Sequence, residues 1–144
     1  VDEYQILESK AHGADVILLI ASVLNKSQIK NLSDFAKTLD LEVLLEIHDL
    51  DELKKSIISS IDLLGVNNRN LKNFEIDLKT SKKLAKEIPN EFIKVSESGI
   101  SNTNSIIELK KYGYKGFLVG ETFMKTNNPG KAAYKFIKTI ESEF

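Results

Sequence analysis

Five short apolar runs, separated by segments of helical period, constrain this chain more than any other feature. The runs cover residues 15–20, 42–47, 62–66, 92–95 and 116–119. Most are continuously apolar and rich in Val, Ile, Leu or Phe, as strands buried on both faces are. The segments between them repeat apolar residues at i, i+3 and i+4. Ile29, Leu32, Phe35, Ala36 and Leu39 form the clearest stripe. Helices are expected over 4–13, 27–39, 50–59, 77–88, 104–112 and 132–140. Gly13, Pro89 and Gly113 act as stops and Asp49 as an N-cap. The order is therefore strand and helix in strict alternation, opening and closing on a helix. Repeated βα units of this kind demand a parallel sheet with right-handed crossovers. Residues 1–144 carry no linker, low-complexity stretch or charge block, so one α/β domain, or a contiguous part of one, is expected.

Composition narrows the function classes. The net charge of −1 supplies no basic field for nucleic acid. The absence of cysteine removes disulfides, thiolate metal sites and a Cys nucleophile. The longest mostly apolar run, 16–24, is far short of the roughly 20 residues of a membrane span. No leader pattern opens the sequence, so a cytoplasmic protein with no membrane partner is the expectation. Val1 in place of Met suggests a piece of a longer chain.

In parallel α/β folds, sites lie beyond the carboxyl ends of the strands. The second strand ends in Glu46-Ile47-His48-Asp49. A carboxylate in an apolar strand is costly to bury unpaired, and burial raises its pKa toward the range of a general acid or base. Glu46 reads either as that group or as an exposed residue at a frayed strand end. Glu46 and His48 could start a metal pair, but one strand supplies too few ligands and the other histidine, His12, falls on a helix. The third strand leads into Asn67-Asn68-Arg69-Asn70. Asn67 and Arg69 share a face by period 2. Arg69 is the lone arginine among 20 basic residues, and its planar fork suits a carboxylate or phosphate; a plain surface arginine is the alternative. Asn68, Asn70 and Asn73 read as turn residues. The fourth and fifth strands lead into Ser98-Gly99 and Gly120-Glu121. Glycine lets backbone N–H groups approach an anion, so the two loops together suggest a phosphate cradle, with 121–125 as a short extra helix. Lys94 alternates with Ser96 and Ser98 and is expected on the inner face as a paired structural group.

With these residues in place, the chain resembles the indole-3-glycerol-phosphate synthases of tryptophan biosynthesis. The matching stretches include Leu45-Glu46-Ile47-His48-Asp49, Gly65-Val66-Asn67-Asn68-Arg69, Val95-Ser96-Glu97-Ser98-Gly99-Ile100 and Phe117-Leu118-Val119-Gly120-Glu121. They come in family order and span essentially the whole chain. The resemblance implies a (β/α)8 TIM barrel that needs no cofactor and no metal. The implied reaction is ring closure of 1-(2-carboxyphenylamino)-1-deoxyribulose 5-phosphate, with loss of CO2 and water, to indole-3-glycerol phosphate. It implies Glu46 as general acid/base and Asn67 as a catalytic positioning group. Arg69 would bind near the substrate carboxylate, and Leu18 would line the wall against the aromatic ring. Glu97 and Ser98 would border the substrate. Gly99, Gly120 and the backbone of Glu121 would hold its phosphate.

The five strands match the fourth to eighth of such a barrel. The family's first strand supplies a Glu and a Lys, and its third the Lys that acts as general acid in ring closure; neither strand is present here. Lys10 cannot stand in, because it falls on the following helix. The expectations are an inactive isolated chain that needs the missing amino-terminal part of the barrel or self-associates. Two other readings stay open: another phosphate-binding barrel enzyme, such as a phosphoribosyl isomerase, and a non-catalytic phosphate-binding half-barrel.

Overall fold

The computed structural model describes residues 2–143. Val1, the residue behind the expectation of a longer chain, and Phe144 lie outside them. Five strands form one sheet: β1 (Val16–Ile20), β2 (Glu42–Ile47), β3 (Leu63–Asn67), β4 (Ile93–Glu97) and β5 (Tyr114–Leu118). All neighbours are parallel and the spatial order is the chain order. A sheet that never reverses its strand order has no doubly wound switch point; it winds in one direction, as a barrel does. The architecture is that of a partial TIM barrel.

Helix α1 (Glu3–Ala11) precedes the sheet. Helices α2 (Lys26–Thr38), α3 (Leu50–Ser56), α4 (Lys79–Leu84) and α5 (Thr103–Lys110) make the four crossovers. A short α6 (Glu121–Met124) and the closing α7 (Pro129–Glu141) follow β5. Local chemistry sets these ends. Asn25 and Gln28 form a reciprocal capping box on α2, and Asp49 caps α3 through the N–H groups of Asp51 and Glu52. Pro129 opens α7 at a position where a missing N–H is harmless. Helix α4 ends four residues before the expected Ile88, its last turn loosening toward Pro89.

The two sheet faces differ. Ile17, Leu19, Val43, Leu45, Ile47, Leu64 and Val66 point to the helices and form the core with Ile29, Ala36, Leu53 and Leu109. Leu44, Glu46, Gly65, Asn67, Val95 and Glu97 alternate with these residues on the inner face. Leu44 and Val95 are buried at the centre, while Val16 and Leu18 on β1 and Leu118 on β5 are exposed at the edges. Leu44 therefore does not lack cover, as Leu18 does.

Lys94 corrects the inner-face expectation. It pairs with Tyr114 across β4 and β5, and its Nζ donates to the Ala85 carbonyl at the end of α4, 2.6 Å away. It is buried in the helix layer, where an ammonium complements a helix carboxyl end. Period 2 separates two faces but does not say which one is inner.

Candidate active site

Glu46 and Glu97 point into the same corner from strands separated only by β3, and β3 offers Gly65 between them. Gly65 pairs with Glu46 on one side and Val95 on the other. A Cβ at Gly65 would lie 1.8 Å from Oε1 of Glu97, so only glycine lets that carboxyl fold over the strand. Glu46 is 7% exposed and Glu97 5%. Burial, then a hydrogen bond and charge repulsion from Glu46, push the Glu97 carboxyl up to about 8. Two adjacent carboxylates cannot both ionise cheaply, so near neutral pH one proton stays with the pair. Oε1 of Glu97 is buried without a hydrogen-bond partner. An unpaired buried oxygen of this kind is rare and marks a strained or functional position.

Asn67 ends β3 on the same face. Its Oδ1 accepts the Arg69 backbone N–H at 2.9 Å, which leaves the amide nitrogen for the cavity. Arg69 Nη2 donates to Glu121 Oε2 at 2.7 Å, and Lys125 holds the other oxygen of Glu121 at 2.6 Å. Lys125, then Arg69, keep the exposed Glu121 carboxyl below its ordinary value.

Asn68 corrects the turn reading. It is 3% exposed and faces the helix layer. Its amide donates to Ser96 Oγ and to the carbonyls of Glu97 and Ser98, while its Oδ1 accepts from the Ser81 N–H. Ser81 and Ser96 share a hydroxyl contact of 2.8 Å, and the buried Tyr114 hydroxyl donates to the Ser81 carbonyl. This network fixes where β4 ends, and with it the Glu97-Ser98-Gly99 turn.

That turn is left-handed twice over, with φ of 63° at Ser98 and 77° at Gly99. Side chains resist this region, and a Cβ at Gly99 would also strike Ile76 at 2.4 Å. The next loop carries Gly120, which caps α6. Thr122 Oγ1 donates to the Ile100 carbonyl at 2.7 Å and so ties the two loops together. The first N–H groups of α6 have no partner inside the helix.

One open cavity of about 900 Å³ collects these groups. Glu46, Asn67, Arg69 and Glu97 line one side, and Ser98, Gly99, Gly120 and Glu121 the other. Leu18 does not line it; it sits exposed on β1, in register with Leu44. Gly65 and Asn68 are structural parts that sequence reasoning missed. A lone glycine inside an apolar strand on the face of Asn67 was the available signal for the first. Glu46 and His48 approach to 3.5 Å, but no group of three or more His, Cys, Asp or Glu among the described residues could hold a metal ion. No described helix is long and apolar enough to cross a membrane.

Residues 1–136 match the family described as indole-3-glycerol phosphate synthase. A protein of that name from Bacteroides thetaiotaomicron is 47% identical over 141 residues, covering 98% of this chain and 54% of that protein. One from Campylobacter jejuni is 45% identical over 131 residues, covering 91% and 51%. The chain thus spans about half the length of the curated relatives it matches. Among solved structures, a tryptophan synthase complex from Pyrococcus furiosus superposes with a TM-score of 0.71 at 19% identity, over 97% of this chain and 59% of that one. A structure described as native KDPGal gives 0.74 at 12% identity, over 99% and 66%. At such identities these two speak for the fold alone.

Proposed function

Because this chain belongs to the indole-3-glycerol phosphate synthase family, we propose that it supplies the carboxyl-terminal five βα units of a barrel carrying out that ring closure. The substrate is 1-(2-carboxyphenylamino)-1-deoxyribulose 5-phosphate. The aromatic carbon bearing the carboxylate attacks the C2 carbonyl, whose oxygen takes up a proton. Carbon dioxide then leaves from that ring carbon, whose ring regains aromaticity; the C2 hydroxyl takes a proton and departs as water while C1 gives up a proton to a base, giving indole-3-glycerol phosphate. Glu46 serves as the carboxyl acid/base and Glu97 carries the companion proton. Asn67 orients the reacting oxygen through its amide. Arg69 faces the substrate carboxylate, sharing or releasing Glu121 as it does so. Gly99, Gly120 and the backbone of Glu121 receive the phosphate, and Ser98 borders it. Leu18 flanks the aromatic ring once further strands lie against β1. No cofactor is called for, since ring closure, decarboxylation and dehydration are redox-neutral and need only proton transfers from side chains, and the setting is the cytoplasm.

The observation that supports this reading most is the convergence of Glu46, Asn67, Arg69 and Glu97 with both glycine loops on one cavity at the strand carboxyl ends. Apolar surface at both sheet margins supports the need for further barrel units: Tyr4, Leu7 and Leu18 at one, Leu118, Tyr134 and Ile137 at the other. The ring-closing Lys of the family is not among these strands, and Lys10 reaches the Asp40 carbonyl instead. The isolated 144 residues are therefore inactive in this reading. The test is indole-3-glycerol phosphate formation by the chain alone and by the chain complemented with the amino-terminal part of a curated relative. Turnover only after complementation, abolished by Glu46→Gln, is the expected result. Turnover by the chain alone overturns the requirement for that Lys, and none after complementation overturns the reading.

A further inference from the structure

His48 has no part in the scheme above, yet it is wedged between two carboxylates. Its side chain is 16% exposed, with Glu46 at 9% on one side and Glu52 at 15% on the other. Nε2 lies 3.5 Å from Glu46 Oε1, and Nδ1 lies 3.2 Å from Glu52 Oε2. The same Glu52 oxygen accepts the His48 backbone N–H at 2.7 Å. Glu52 is thus fixed to its partner at two points, and it is the third residue of α3, whose start Asp49 caps. A side chain in the first turn of a capped helix has little freedom.

The chemistry of this contact assigns the tautomer. An ionised carboxylate only accepts, so the imidazole must donate from Nδ1 to Glu52. Nε2 is then the position left facing Glu46, and it is buried with no hydrogen bond of its own. We propose that His48 is a positioning residue for Glu46: Glu52 holds the ring in its Nδ1–H form, and the unprotonated Nε2 accepts a hydrogen bond from Glu46 whenever Oε1 carries the proton it exchanges with substrate. The 3.5 Å separation is long for a hydrogen bond, and catalytic contacts of this kind shorten when substrate fills the cavity. Glu46 and His48 border adjoining spaces that share Asn67 and Arg69 as lining. Glu46 lines the site cavity, while His48 and Glu52 line a neighbouring one of about 590 Å³.

The inference rests on Glu46 as the acid/base, and its test has two arms. The first uses the 144-residue chain labelled with 15N-histidine, in which His12→Asn assigns the two rings. Long-range 1H–15N correlations at neutral pH are expected to show His48 protonated at Nδ1. A neutral ring with its proton on Nε2 overturns the proposal. The second arm measures the complemented barrel. His48→Leu is expected to lower kcat by roughly tenfold or more, a part of the 10²–10⁴ that acid–base groups supply. KM should change less than twofold, and His48→Gln, whose amide oxygen returns an acceptor, should recover most of the rate. A Leu variant with unchanged kcat, or with a loss in KM alone, overturns the role. If Glu46→Gln turns over at full rate, the acid/base reading fails instead, and the tautomer result still stands on its own.

Discussion

Gly65 leaves the space in which the Glu97 carboxyl lies; a Cβ there would come within 1.8 Å of Oε1 and 2.9 Å of Cδ. The pairing of two carboxyls at this site thus depends on an atom that a strand residue lacks. Both contacts are with the end of a flexible side chain, so Gly65→Ala should displace Glu97 rather than unfold the chain. The expected stability change is small, about 1 kcal/mol or less, because alanine also limits the unfolded state. The sensitive readout is 13C carboxyl titration by NMR. The resonance titrating near 8 in the parent should move toward the ordinary carboxylate range, and an unmoved resonance would contradict the packing argument.

The raised Glu97 carboxyl makes stability pH-dependent. The folded state holds a proton here that the unfolded chain releases at the ordinary carboxylate pKa of 4.5. Between that value and about 8 the native state binds more protons, so stability falls as pH rises and levels off above. Glu97→Gln should flatten this slope and exceed the parent at pH 9 by on the order of 2–4 kcal/mol. Urea unfolding at pH 5, 7 and 9 measures it. A variant less stable than the parent at pH 9 counts against a buried, protonated Glu97.

Asn68 makes its bonds inside the protein, where water cannot replace them. Asn68→Ala strands the Ser81 N–H and loosens the Glu97 and Ser98 carbonyls. The expected loss is about 2–4 kcal/mol in denaturant unfolding. Asn70→Ala, at an exposed turn, should cost less than about 1 kcal/mol.

Exposed inner-face residues at both sheet margins should drive the isolated chain to associate. Light scattering after size exclusion is expected to show species above 16.2 kDa. Leu18→Lys should shift them toward monomer. A sharply unfolding monomer from the parent chain would refute this.

Much of the fold is legible in the residues. The run at 42–47 coincides with β2, and the other four strands begin or end within two residues of their apolar runs. Apolar runs report burial directly, which is why they fix strands well. Helix ends were less legible. The expected span 77–88 contracts to Lys79–Leu84, because the turn toward Pro89 breaks the regular bonding. Of the site, Glu46, Asn67, Arg69 and both glycine loops could be named from their place after strands. Gly65, His48 and Asn68 could not be given their roles. Gly65 and Asn68 act through residues distant in sequence, and local periodicity carries no such information; the contacts of His48 with Glu46 and Glu52 are local, but they depend on how three side chains turn.

The sequence by itself determined the alternation of strand and helix, the parallel sheet, and which loops carry the polar groups. These follow from side-chain burial and chain-local capping. Only the tertiary structure decided which face is inner, and that decision sent Lys94 and Asn68 to the helices and Glu46 and Glu97 to the cavity. It also decided that the Glu97 carboxyl is pushed up. Burial and repulsion arise from the approach of β2 and β4 across Gly65, and distances between strands exist only once the sheet has closed up.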